Sequence, residues 1–483
     1  MRVCLILEGS YPFVHGGVSS WTHTFIRNSP QHEFVLWTIG AHARDKDHFA
    51  YELPPNVTEV HQVFLDTQLL RKPPRQSKKN KNRFTIEELE ALSRLFACED
   101  PDWQVLIDLF QGGADPLEVL MGEDYLRMVT QVCRRKYAHL PFAKTFHTSR
   151  SMLLPVLHLL CQKIPQADLY HTICTGYGGL LGSMAHMQTG KPLILTEHGI
   201  YSREREEELI RANWVEPKFK RRWIRFFYML SNICYSNAAA ITSLFDAARA
   251  IQVDLGADAQ KCTVIHNGVD FERFSQVPPK APEKKTIIGA VIRLARIKDV
   301  KTMIYAFYEL TQRMGEDAVE LDILGDTDDE DYGRECHELV QNLDLHNLFF
   351  LGHQSTVEYL AKFDFTVLSS ISEGQPLCIL ESMAAARPAV TTDVGSCREL
   401  LQGAPGDLLG PSGIIVPPMD RKAMADAMEV LCRNSRLRLQ MGEAGQQRVE
   451  RYYRTSGMME GYENVYQQVM DEFKKSGHKE EGA

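Results

Sequence analysis

Short apolar runs alternate with helix-length amphipathic stretches along most of this 483-residue chain. A strand covered by helices on both faces reads as an unbroken apolar run, so this alternation predicts parallel sheets with helices packed on either side. Strands are expected at 3–7, 33–39, 169–171, 193–196, 240–243 and 262–266, and then at 286–292, 321–324, 348–351 and 364–368. Between the two sets lies Val277-Pro278-Pro279-Lys280-Ala281-Pro282-Glu283-Lys284-Lys285, whose prolines and charges suit a linker rather than an element. The expected organisation is therefore an α/β domain over 1–279, a second over 280–454, a helix over 455–475 that crosses back to the first domain, and a polar tail at 476–483. From about 67 to 145 the alternation gives way to charged, helical sequence, which reads as an insertion. Its stretch 71–83 contains no acid and reads as a solvated loop or as a docking patch for an anionic surface or partner.

A chain of this length can bury two or three cores, and 44% hydrophobic with 24% charged residues is an ordinary globular balance. The net charge of −9 argues against general nucleic-acid binding, which favours basic surfaces. No apolar run approaches the ~20 residues of a membrane span. Met1 to Leu7 is too short an apolar run for a secretory leader and reads as a strand, so a cytoplasmic location is expected. The eleven cysteines form no C-x-x-C pair, and Cys4, Cys161, Cys262 and Cys378 lie in apolar stretches. Reduced core thiols are expected.

The densest chemistry is Ser369-Ser370-Ile371-Ser372-Glu373-Gly374-Gln375-Pro376-Leu377-Cys378-Ile379-Leu380-Glu381. An apolar strand feeds a Gly–Gln–Pro turn that opens a helix, and Pro376 suits the first turn because its missing N–H would be unpaired there. The N–H groups of Gln375, Leu377 and Cys378 are then free for phosphate or sugar hydroxyls, with Glu373 and Glu381 flanking them. After the first strand, Gly16-Gly17 precedes a helix; the chain has neither a G-x-G-x-x-G nor a G-x-x-x-x-G-K-[ST] loop, so this is a phosphate approach or a plain turn. Arg293 and Lys298 follow the first strand of the second domain, where they neutralise a diphosphate or form a solvated turn. His198 follows the strand at 193–196. Asp326-Thr327-Asp328 reads as a charged helix start, with no metal assigned. The basic and aromatic stretch 218–228 is read as a helix with one buried face, or as a membrane or partner face.

Taken in chain order, Gly16-Gly17, His198-Gly199, Arg293 with Lys298, and the pair Glu373 and Glu381 with seven residues between them resemble the family 4 retaining glycosyltransferases of GT-B fold. Val264-Ile265-His266-Asn267-Gly268-Val269-Asp270 is similar to the family's strand-to-linker segment. The resemblance implies two Rossmann-like domains facing a central cleft with a C-terminal crossover helix. It implies a UDP-sugar donor and no metal: Arg293 and Lys298 on the diphosphate, Glu381 on the ribose, and backbone around Leu351 to His353 on the base. Glu373 with the backbone N–H groups around Gly374 and Gln375, in the turn that continues through Pro376 and Leu377, would hold the donor sugar. Gly16 and Gly17 would approach the phosphates, and His198 the sugar near the reacting carbon. Three positions depart from the pattern: Ile292 and Asp299 stand where Gly is usual and His266 where Pro is common. The opening residues Leu5 to Pro12 and His15 to Trp21 are similar to the cytoplasmic transferases of Pel exopolysaccharide synthesis. That implies a hexosyl or N-acetylhexosaminyl transfer to a polysaccharide acceptor and an inner-membrane synthase complex as partner. A donor-binding regulatory subunit without turnover and a nucleotide-sugar epimerase remain open.

Overall fold

The computed structural model describes residues 1–67, 84–280, 283–327 and 329–480. The basic stretch 71–83 and Asp328 lie outside these residues. The chain forms two compact units, one from Met1–Val264 together with the residues from Glu463 onward, the other from Ile265–Tyr462.

Unit 1 holds seven strands: β1 (Arg2–Glu8), β2 (Glu33–Gly40), β3 (Val57–Phe64), β4 (Leu169–Thr172), β5 (Leu193–Glu197), β6 (Ala240–Ser243) and β7 (Cys262–Val264). They form one parallel sheet in the order β3-β2-β1-β4-β5-β6-β7. Val3 to Leu7 of β1 are wholly buried, as a strand covered on both faces requires. β3 escapes the apolar-run criterion because it is an edge strand carrying Thr58, Glu59, His61 and Gln62. Between β3 and β4 stand helices Ile86–Phe96, Trp103–Gln111, Pro116–Met121, Glu123–Lys136 and Phe142–Leu160. Thr85 and Glu88 cap the first of them reciprocally. Leu92, Phe96, Leu106, Val129 and Leu157 of these helices share one core with the sheet, so the segment is part of the unit's interior.

The stretch 218–228 belongs to helix Pro217–Asn237. Phe219, Arg222 and Phe226 are buried in it. The Arg222 guanidinium lies 4.4 Å from the Phe96 ring centre and 4.6 Å from that of Tyr137, and it donates to the Phe96 carbonyl. The basic and aromatic composition here is core packing, with a cation sandwiched between rings.

Unit 2 holds β8 (Thr286–Val291), β9 (Val319–Leu324), β10 (Leu348–Gly352), β11 (Phe365–Leu368), β12 (Ala389–Thr392) and β13 (Gly413–Val416), again all parallel, in the order β10-β9-β8-β11-β12-β13. The chain enters this unit at Ile265, ahead of the boundary at 279/280 that the Pro-rich stretch suggests. The reason is packing: Val269, Phe271, Phe274 and Val277 are buried in the second core, and the Val269 N–H donates to the Tyr453 carbonyl at 2.9 Å. The last helix, Thr455–Glu480, begins in unit 2 and ends in unit 1. There the Tyr466 hydroxyl lies 2.7 Å from His171 Nδ1 and Glu463 lies 2.8 Å from His32 Nε2.

All eleven cysteines are free thiols, buried or half-buried. Among the described residues no helix is long and apolar enough to cross a membrane.

In each sheet the strand order reverses beside the first strand of the unit, β1 between β2 and β4 and β8 between β9 and β11. Loops leaving the carboxyl ends on either side of such a point diverge and leave a crevice, the usual ligand position in parallel sheets. Gly16, Gly17, Arg293, Lys298 and Glu373 sit on those loops, whereas His198 and His353 follow β5 and β10, farther from the reversal.

Candidate functional site

In unit 2 the chain leaving β8 runs through exposed Arg293 to a short turn, Arg296–Lys298, and then into helix Val300–Met314. Between turn and helix, Asp299 takes left-handed angles, φ 46° and ψ 46°. Glycine adopts that conformation at no steric cost, and Asp is among the few other residues that tolerate it. The departure from Gly therefore leaves the loop's path intact.

The chain leaving β11 meets this loop. Glu373 Oε1 accepts from Lys298 Nζ at 2.6 Å and from Ser370 Oγ at 2.5 Å. The Ser369 hydroxyl donates to the Lys298 carbonyl at 2.8 Å, and the Ile371 N–H to the Ile297 carbonyl at 2.8 Å. The two side chains are only 20% and 11% exposed, so this is a partly desolvated, charge-assisted contact rather than a surface pair. Lys298 keeps two further N–H donors beyond the one given to Glu373.

Past Glu373 the turn opens helix Leu377–Ala384, with Pro376 as its N-cap. Among the described residues the backbone N–H groups of Gly374, Gln375, Leu377 and Cys378 donate to no protein oxygen. They form a crown of donors at the positive end of a helix. The turn is held from behind: the Ser396 N–H donates to the Gly374 carbonyl at 2.9 Å. Gly395 (φ 52°) approaches so closely that a Cβ there would come within 2.2 Å of the Glu373 carbonyl oxygen, and only glycine fits. One turn along the helix, burial pushes the half-buried Glu381 carboxyl up to about 7, with Arg273 pulling the other way. The Glu381 carboxyl has no hydrogen-bond partner among the described residues. His353 is exposed on the loop after β10, two strands from β8.

Unit 1 presents a different surface. Gly16 (φ 170°) is the extended cap of helix Gly17–Arg27, whose first turn carries no acid and no side-chain cap. A Cβ on Gly17 would meet nothing within 4 Å, so the fold itself does not require glycine there. Trp21 of this helix meets the His198 ring edge to face, centroids 4.5 Å apart. Burial lowers His198 to about 4, which leaves the imidazole neutral at neutral pH, and its Nε2 is shut from water without a hydrogen-bond partner. Residues successive along a strand point to opposite faces, and Glu197, beside His198, enters a closed network. Its carboxylate accepts from the Tyr235 hydroxyl at 2.7 Å, Gln252 Nε2 at 2.9 Å and the Thr175 hydroxyl at 3.3 Å. Burial raises it to about 7 against those bonds.

The structure thus joins Lys298, Glu373, Gly374, Gln375, Pro376 and Leu377 in one cluster in unit 2, and His198 with the helix that starts at Gly17 in unit 1. Sequence reasoning passes over Ser370, Glu197 and Glu8. Glu8 closes β1 by accepting from the Tyr201 hydroxyl at 2.9 Å and the Gly178 N–H at 3.0 Å. The signal for both acids is their position at the carboxyl end of an apolar strand. Asp329, beside the Asp326-Thr327 pair, caps helix Glu330–Asn342 by accepting from the Tyr332 N–H at 3.0 Å, so this acidic run is a helix start.

Residues 285–434 match the family model "Glycosyl transferases group 1", and residues 1–260 match "Domain of unknown function (DUF3492)". The chain is 25% identical over 311 residues to the MMP alpha-(1->4)-mannosyltransferase of Mycolicibacterium hassiacum, covering 63% of this chain and 71% of that protein. It is 25% identical over 313 residues to the capsular polysaccharide biosynthesis glycosyltransferase CapM of Staphylococcus aureus, covering 62% and 76%. A third match, the N-acetyl-alpha-D-glucosaminyl L-malate synthase of Bacillus anthracis, is 29% identical over 193 residues, 39% of this chain and 47% of that protein. Among solved structures, Anabaena HepE in complex with UDP-glucose superimposes with a TM-score of 0.60 at 15% identity, covering 97% and 100% of the two chains. The sucrose-phosphate synthase of Thermosynechococcus elongatus gives 0.62 at 15% identity, covering 97% and 99%. These structural likenesses share the fold, two Rossmann-like parallel-sheet domains of GT-B type.

Proposed function

The chain belongs to the DUF3492 family through residues 1–260 and to the group 1 glycosyl transferases through residues 285–434, and from that premise we propose that it moves a hexosyl or N-acetylhexosaminyl group from a UDP-sugar to a growing exopolysaccharide. One observation carries this reading: the half-buried Lys298–Glu373–Ser370 cluster beneath a crown of free N–H groups, at the switch point of the second sheet. An anion with polyol groups is what such a site recognises.

In this reading Arg293 and the two remaining donors of Lys298 hold the diphosphate and supply the positive charge that a divalent ion supplies elsewhere. Glu381 takes the ribose hydroxyls, and the loop at His353 takes the base. Glu373, already fixed by Lys298 and Ser370, accepts from the donor-sugar hydroxyls, while the N–H groups of Gly374, Gln375 and Leu377 donate to its oxygens. The open space before Gly17 suits phosphate oxygens, and the unpartnered, neutral Nε2 of His198 suits a sugar hydroxyl. The bond from the anomeric carbon to the diphosphate breaks, the acceptor hydroxyl attacks from the same face, and its proton passes to the departing phosphate oxygen. Configuration is retained, and no side chain becomes covalently attached. This reading also draws on the resemblance of the opening residues to PelF. In it the acceptor is the Pel exopolysaccharide of a biofilm matrix, and the protein works at the cytoplasmic face of an inner-membrane synthase complex.

The test is a panel of UDP-sugars, with and without oligosaccharide acceptor, in EDTA. Acceptor-dependent UDP release with a retained anomer is expected. UDP binding without release would point to a regulatory subunit, donor conversion without acceptor to an epimerase, and loss of activity in EDTA to a metal site.

A further inference from the structure

The turn that carries Glu373 is gripped by a residue far away in the chain. Asn267 is 4% exposed and Gln375 5% exposed. The Asn267 backbone N–H donates to Gln375 Oε1 at 2.5 Å, and Asn267 Nδ2 donates to the Gln375 backbone carbonyl at 3.2 Å. Both acceptors of Gln375 are thereby taken by one residue 108 positions earlier. What Gln375 has left are donors: its backbone N–H and its Nε2, the latter buried without a partner. A buried amide nitrogen without a partner carries a desolvation cost that an oxygen-bearing ligand would relieve.

Asn267 is itself immobilised from the other side. A Cβ on Gly268 would meet the Thr455 Cα at 2.5 Å and the Arg454 carbonyl at 2.7 Å, so backbone packs directly on backbone there. The Val269 N–H donates to the Tyr453 carbonyl at 2.9 Å, and the Thr455 N–H to the Val269 carbonyl at 3.1 Å. The turn is also fixed at its other flank by the Ser396 N–H on the Gly374 carbonyl. Asn267 is therefore a rigid peg, not a surface side chain that happens to touch a loop.

We propose that Asn267 is a positioning residue for the donor sugar. By occupying both carbonyls of Gln375 it turns that residue into a donor-only element and sets where Glu373 and the adjacent N–H groups stand. This rests on the reading of the turn as the sugar-holding part of the site. The hydrogen bonds of Asn267 go to Gln375 and not to Lys298 or Glu381, so its loss should separate sugar recognition from UDP recognition.

Binding of UDP, UDP-glucose, UDP-N-acetylglucosamine and UDP-N-acetylgalactosamine is measured calorimetrically for the wild type, Asn267→Ala and Gln375→Met, with steady-state rates on the preferred donor. Asn267→Ala removes one of the two bonds by deleting the side chain. Gln375→Met removes the other from the opposite partner, which keeps the test open if the first variant does not fold. UDP affinity within about twofold of wild type is expected in both variants. A fall of about tenfold in kcat/KM for the preferred UDP-sugar is expected, the size of one lost hydrogen bond. In the double variant the losses should fall short of additive, because both act on one contact. Wild-type kcat and KM in Asn267→Ala, or equal losses for UDP and UDP-sugar, would overturn the positioning role. If the wild type binds none of the four nucleotides, the donor-site reading itself fails, a distinct outcome.

Discussion

At the carboxyl edge of the first sheet His198 and Glu197 are enclosed and pushed toward their neutral forms, whereas at that of the second Lys298 and Glu373 form a half-open ion pair. His198 is lowered to about 4 and Glu197 raised to about 7, so each resists the charge it would carry in water. Lys298 and Glu373 pair at 2.6 Å beneath free N–H groups. The same topology, sheet reversal and strand-end loops therefore carry two kinds of surface. In the proposed function unit 2 meets the anion, while unit 1, with an uncharged nitrogen, an aromatic wall and room before a glycine, discriminates by shape and single hydrogen bonds.

The sharpest way to break this contrast is to attack buried charge in each unit. Arg448 in unit 2 is wholly buried and donates to the Asp407 carboxylate at 2.7 Å, to the Gly410 carbonyl at 2.6 Å and to the Ser412 hydroxyl at 3.0 Å. Arg448→Met strands Asp407 and should cost about 3–5 kcal/mol of stability, read from urea unfolding. Glu197→Gln in unit 1, at pH 6, should cost far less, because the carboxyl is already mostly protonated there. Equal costs would erase the distinction.

Next in size is activity. Lys298→Ala should cut UDP-sugar turnover and UDP affinity by the worth of a charge-assisted contact, about 1.5–3 kcal/mol or roughly 10- to 150-fold. Unchanged UDP affinity would remove the anion from unit 2. His198→Asn should leave UDP affinity alone and lower kcat by a smaller factor, about tenfold for one hydrogen bond.

A pH series sharpens the contrast further. The folded carboxyls of Glu197 and Glu381 are raised, so their neutral forms favour the folded state. That contribution is complete below about pH 4.5 and is lost as pH rises through about 7. Because the lowered His198 acts in the opposite sense below about pH 6.5, the check is a difference between thermal melts: from pH 5 to 8 the wild type should lose melting temperature relative to Glu197→Gln. Ribose hydroxyls donate best to ionised Glu381, so UDP affinity should rise through the same window and flatten in Glu381→Gln. The smallest effect is at Asp299, where Asp299→Gly relieves a left-handed angle and should stabilise by at most about 1 kcal/mol without touching kcat.

Much of this was legible before any coordinates. β1, β5 and β8 are apolar on both faces, and their neighbours carry Gly17, His198, Arg293 and Lys298 on strand-end loops, as periodicity alone suggests. The turn at Pro376 follows from one residue's missing N–H. β3, β12 and β13 are not among the expected strands. Only the last two residues of β3 are buried, so it shows no apolar run, while β12 and β13 are passed over although β4, β6 and β11 are no longer. Arg222 misleads because sequence shows a cation among aromatics but not whether the rings enclose it. Asn267 is illegible for another reason: its partner is fixed by tertiary packing across the whole second sheet, and no local spacing encodes it.

The last helix has a consequence for how the protein can be taken apart. Unit 1 is discontinuous in sequence, since Tyr466 satisfies buried His171 and Glu463 satisfies His32 from the far end of the chain. A fragment ending at Val264 is thus missing a wall of its own interior, while one ending at Tyr462 damages the half of the protein that was synthesised first. Folding during synthesis must leave that wall open until the residues from Glu463 onward have emerged. A split protein should regain it only when the 455–480 segment is supplied as a separate peptide.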